Sequence, residues 1–168
     1  MNRFHVKILC KPYVRRFIEI NYGDPADITK DKMVYQFFCS RLKKKTFRYE
    51  KKYKKLDKYT DEIAIKISRD DFYRYGWEIS MTDNVAFNRI MEYKVKEMLY
   101  KIVGIYTSIG FPLSESIDRF QEQYGFHEDV WPKESIRKDC CRNLNIDKKE
   151  IDNLISKIIN TNKSVKKT

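Results

Sequence analysis

The residues able to do chemistry in this chain are few and scattered. The only histidines are His5 and His127, and the four cysteines are Cys10, Cys39, Cys140 and Cys141. A zinc site draws on close Cys/His pairs, and none is present. His5 and Cys10 are near in sequence, but an offset of five on a strand places them on opposite faces. Asp57, Glu62 and Lys66 suggest a metal-dependent nuclease, with Glu62 and Lys66 on one strand face, at a spacing wider than the E-x-K pair such enzymes use. Asp70 and Asp71 are potential metal carboxylates, yet acids in the first turn of a helix also answer its dipole. The five glycines form neither GxGxxG nor GxxxxGK, so no phosphate-cradling loop is expected. These patterns point away from catalysis, and no metal or cofactor is expected.

Cations carry the stronger signal. The formal net charge is +11. Lys43 to Lys58 holds nine basic residues against two acidic ones, and Ile159 to Thr168 adds Lys163, Lys166 and Lys167. The rest of the chain is close to neutral. Basicity this local is the electrostatic footprint of a polyanion partner. Within the first segment Phe47, Tyr49 and Tyr53 interleave with the lysines, and Tyr59 follows. Lysines neutralise phosphates and aromatic rings stack on exposed bases. Lys44, Lys45, Arg48, Lys51, Lys52 and Lys55 are therefore candidate nucleic-acid contacts. The bland alternative makes Tyr49, Tyr53 and Leu56 a buried helical ridge with solvated lysines around it. A membrane-surface role is disfavoured, because few large aliphatics accompany the lysines.

A second candidate lies in SESIDRFQEQYGFHEDVWPKESIRKDCCRN, Ser114 to Asn143. Two helical patterns meet at Gly125 and restart at Pro132. If the latter helix reads DNA, Ile136 and Cys140 face the core, and Lys133, Arg137, Lys138 and Arg142 point outward to phosphates or base edges. Two features oppose this. GFHEDVW is longer than a tight helix-turn-helix connection, unless Glu128 to Trp131 forms a helical turn of its own. From Leu113 to Leu144 seven acids outnumber five bases. The competing reading is two helices that simply pack together.

The pattern Gly110, Pro112, Phe120, Tyr124, Gly125, Trp131, Ile136 and Arg137 resembles helix-turn-helix-type modules near the C-termini of small DNA-binding proteins of bacteriophages and mobile elements. The resemblance covers about a fifth of the chain. It implies a regulator or accessory factor acting on double-stranded DNA, alone, as a homo-oligomer or with a protein partner. The alternatives are a structural or protein-interaction component of a phage and, third, the nuclease.

The elements that must position these residues read as follows. The fold class expected is α+β: a small mixed N-terminal lobe with a short sheet, then a C-terminal helical bundle. Phe4 to Leu9 has strand character. After Pro12, alternation of Ile18, Ile20 and Tyr22 predicts a second, half-buried strand, ended by the turn Gly23 to Pro25. Asp27 or Thr29 caps a helix whose apolar face is Met33, Val34, Phe37, Phe38 and Leu42. Ile63, Ile65 and Ile67 alternate as a clear strand. Ser68 caps a short helix that stops at Gly76. Thr82 or Asp83 caps a long helix to about Ser108, Pro112 opens another to Tyr124, and Pro132 a third to about Asn143. Asp147 and Glu150 start a last helix through Ile158. The expected division is 1–81 for the mixed lobe with its basic arm 43–58, 82–160 for the bundle, and 161–168 for a basic tail. No apolar run approaches the roughly 20 residues that span a bilayer. MNRFHVKILC is too short and charged for a secretory signal. With cysteines that form no disulfide framework, this predicts a reducing, cytoplasmic setting.

Overall fold

The computed structural model describes residues 4–44 and 56–144. The fold is α+β, with a small strand region and a helical C-terminal part. Two compact units emerge, Met1–Val95 and Lys96–Thr168. The division falls inside a helix rather than at Met81.

The first unit is built on two antiparallel strands, β1 (Phe4–Cys10) and β3 (Asp61–Ile67). Their register sets Val6 against Ile65 and Ile8 against Ile63. The alternation in the sequence is the alternation in burial: Val6, Ile8, Cys10, Ile63, Ile65 and Ile67 are buried, whereas His5, Lys7 and Glu62 are exposed. The other edge of β3 is met by Ala26, whose N–H donates to Ala64 and whose carbonyl accepts from Lys66, both at 2.8 Å.

Pro12 to Tyr22 is a helix, α1, and not the expected strand. The alternating Ile18, Ile20 and Tyr22 misled, because Val14, Phe17 and Ile18 also lie on one helical face, and that face is buried. Ile20 is left exposed. Pro12 sits in the first turn, where its fixed φ suits a helix and its missing N–H is no loss. Arg15 pairs with Glu19 one turn on.

Asp27 caps only a short 3-10 turn, Ile28–Lys30. The cap of helix α2 (Lys32–Arg41) is Asp31, whose carboxylate accepts the Val34 N–H and the Lys94 ammonium. The ammonium, first of several causes, holds the Asp31 carboxyl below its ordinary range. Val34, Phe38 and Cys39 are the buried positions of α2, and Met33, expected on that face, points to solvent. Leu42–Lys43 (β2) pairs antiparallel with Glu78–Ile79 (β4). Between β3 and β4, α3 (Arg69–Tyr75) is capped by Ser68 and stops at Gly76, as its pattern predicts.

The long helix α4 (Met81–Ser108) begins slightly earlier than expected. Ser80 supplies the cap: its hydroxyl accepts from the Asp83 N–H and donates to the Asp83 carboxylate. In the first unit α4 buries Phe87, Met91 and Val95, and Phe87 packs on Phe38 with ring centroids 5.1 Å apart. It also buries Asn84 and Asn88. Asn84 Oδ1 accepts the Leu9 N–H at 3.1 Å, and the Leu9 carbonyl accepts from Asn84 at 3.0 Å and Asn88 at 2.7 Å.

In the second unit the rest of α4 buries Leu99 and Val103. Helices α5 (Leu113–Tyr124) and α6 (Lys133–Asn143) contribute Ile117, Phe120, Ile136 and Cys140. Phe126 and Trp131, from the connection, complete an aromatic knot on Phe120. Among the described residues no helix is long and apolar enough to cross a membrane. The expected helix from Asp147 and the tail lie outside the described residues.

Candidate nucleic-acid interface

Helix α6 presents the expected face. Ile136 and Cys140 are buried one turn apart, and Arg137, Lys138 and Arg142 are exposed, with Lys133 half-buried. Three of these four cations already have an anion. Lys133 Nζ reaches Asp118 of α5 at the short distance of 2.5 Å. The Arg137 guanidinium forms two bonds to Glu134, at 2.9 and 3.0 Å, and Lys138 Nζ lies 3.7 Å from the same carboxylate. Arg137 is the main cause that holds the Glu134 carboxyl below its ordinary range, and Glu134 raises Arg137 in return. These are exposed pairs, weak in water and open to exchange for a phosphate.

The join between α5 and α6 runs from Gly125 to Pro132. Gly125 adopts the left-handed conformation that ends α5. The buried Gln121 side chain then donates to the carbonyls of Phe126 and Trp131, at 2.8 and 2.9 Å, and so ties both ends of the connection to α5. The Val130 and Trp131 N–H groups bond back to His127, a helical turn inside the connection. Glu128 accepts the Lys133 N–H at the start of α6. This is an eight-residue, internally bonded link, longer than the tight turn of a standard helix-turn-helix.

Of the basic-segment candidates, Lys44 is described and exposed. Lys45, Arg48, Lys51, Lys52 and Lys55 lie outside the described residues. Both flanks of the segment are held in the first unit. Leu42–Lys43 pairs with β4, the Trp77 N–H donates to the Lys43 carbonyl at 3.1 Å, and Asp61 opens β3. Gly76 makes this possible. A Cβ there would sit 2.1 Å from the Lys43 carbonyl carbon and 2.4 Å from the Lys44 nitrogen, and its φ is +117°.

His5 is exposed on β1 and Cys10 is buried on the other face. Burial, with Asp61 adding to it, pushes the Cys10 thiol up to about 12. Glu62 pairs with Lys7 at 2.7 Å. Asp71 accepts the hydroxyls of Tyr35 and Ser68, each at 2.6 Å. Among the described residues no group of three or more His, Cys, Asp or Glu side chains could hold a metal ion.

One constellation went unread in the sequence. Phe72 lies between Phe4, with centroids 4.2 Å apart and planes at 27°, and Trp77, at 5.3 Å and 23°. Tyr73 meets Phe4 and Phe72 edge-on. The run FYRYGW, Phe72 to Trp77, was the available signal. Comparison of the chain with family models, curated proteins and solved structures finds no match.

Proposed function

We propose that the protein binds nucleic acid, with Lys43 to Lys58 as its principal phosphate contact. The observation that carries this reading is the segment's charge, nine basic residues against two acidic, on flanks held by β2 and β3. A charge density of this kind, tied to a folded unit, supplies the sequence-independent part of nucleic-acid affinity. Helix α6 is the secondary contact, since Lys133, Arg137 and Lys138 must each exchange an intramolecular carboxylate for a phosphate. A role as a regulator or accessory factor of a phage or mobile element fits a small basic binding module.

The test is a fluorescence-anisotropy titration with labelled DNA at about 50 and 200 mM salt. Several phosphate contacts predict a loss of orders of magnitude in affinity over that range. Absence of binding at the lower salt would end the proposal. The second reading, a structural component that meets another protein, is favoured by the carboxylate partners of α6 and by the exposed Tyr73 and Trp77.

A further inference from the structure

The aromatic stack at α3 and β4 has three properties that belong together. It is exposed, with Tyr73 at 55% and Trp77 at 42%, where rings of that size are more often covered. It is ordered, since Phe4, Phe72 and Trp77 are near-parallel and Phe72 supports the indole from one side. It has cations on the same short helix and on the neighbouring strand end. Arg69 lies over the Tyr73 ring at 6.0 Å and Arg74 over the Tyr75 ring at 5.2 Å. Lys44 is exposed next to Lys43, whose ammonium lies 3.6 Å from Asp83 and whose carbonyl is bonded by Trp77 itself. The acids in the neighbourhood are Asp83, shared by Lys43 and Arg41, Asp70, exposed, Glu78, half-buried opposite Lys43, and Asp71, occupied by two hydroxyls.

Resting on the nucleic-acid reading, we infer that Trp77 and Tyr73 form a stacking platform for an unpaired base, which makes the preferred partner single-stranded nucleic acid. A base in a duplex already has both faces covered by its neighbours. A base in a single strand has a free face, which an exposed indole at the end of a ring stack can take. Arg69, over the Tyr73 ring, and the exposed Lys44, whose backbone runs against Gly76, supply positive charge for the phosphates that flank such a base, a chemistry that an aliphatic protein partner does not need. The close approach of Gly76 to Lys43 keeps the rings and the first lysines of the basic segment together.

The experiment compares the wild-type protein's affinity for an oligothymidylate of about twelve nucleotides, within the usual site sizes, with that for an abasic oligomer of equal length at the same salt. Loss of one stacked base predicts about five- to 150-fold weaker binding of the abasic strand. Trp77→Ala and Tyr73→Ala, each checked for folding by circular dichroism, should shrink that difference and leave abasic binding unchanged. Equal affinity for the two oligomers overturns the platform while the nucleic-acid reading stands. A base preference that persists in both folded variants places stacking elsewhere and also overturns it. If neither oligomer binds, the platform falls, and a titration with duplex DNA at the same salt decides whether the nucleic-acid reading falls with it.

Discussion

At the scale of single residues, two glycines separate conformational strain from steric collision. Gly110 and Gly76 both have positive φ, at +104° and +117°. A Cβ on Gly110 would meet nothing within 4 Å, and one on Gly76 would strike the Lys43 backbone. Gly110→Ala should therefore cost about 1–3 kcal/mol of backbone strain, and Gly76→Ala distinctly more, because β2 must also move. Urea unfolding midpoints read the difference, and equal losses would contradict it. The thiols give a second prediction. Burial pushes Cys10 and Cys140 up to about 12 and Cys39 up to about 11, against an ordinary 9.0. The unfolded chain then releases protons above about pH 9 that the folded chain retains. Stability should be insensitive to these groups below about pH 9 and fall as pH rises from there toward about 12. A urea midpoint that holds steady between about pH 8.5 and about pH 10.5 would contradict this. At about pH 8 alkylation should select Cys141, the exposed thiol.

At the scale of elements, charge pairing divides the two candidate contacts. The Arg137→Ala variant should change affinity for DNA by less than about threefold, since Glu134 already holds that guanidinium in an exposed pair. Joint replacement of Lys44, Lys45 and Arg48 by alanine should lower the salt slope by about 2–3, at roughly 0.7–0.9 for each phosphate no longer neutralised. The reverse ranking would assign the interface to α6. Elements were legible where pattern and punctuation agreed. Ile63, Ile65 and Ile67 marked β3, Ser68 and Gly76 bounded α3, and Gly125 and Pro132 bounded the helix pair. The segment after Pro12 was misread because three apolar residues at alternate positions fit both periods, and only packing chooses between them. Asn84 and Asn88 carry no apolar signal at all. Their burial depends on Leu9, 75 and 79 residues away. The outward face of α6 was legible, but its carboxylate partner on α5 was not, because it depends on how two helices meet. The stack under Trp77 was illegible for the same reason: FYRYGW showed the aromatics, but Phe72, which carries the indole, meets Phe4 only when β1 and α3 are folded.

At the scale of the whole molecule, the +11 charge sets a limit on what salt can reveal. If the nine cations of Lys43 to Lys58 all met phosphates, the slope of log affinity against log salt would be about −6 for a single strand and about −8 for a duplex. A measured slope steeper than these would require Lys163, Lys166 and Lys167 or the α6 cations as well, and deletion of residues 159–168 separates those two sources. The chain also has an open seam. Among the described residues, β1 has a hydrogen-bonded neighbour strand in β3 alone, and the free edge of a strand is a template for any other extended chain. Asn84 and Asn88 present amides to Leu9 in the way a neighbouring strand would present its backbone. The long helix thus impersonates a third strand at that position and takes the Leu9 backbone groups out of reach of an incoming chain.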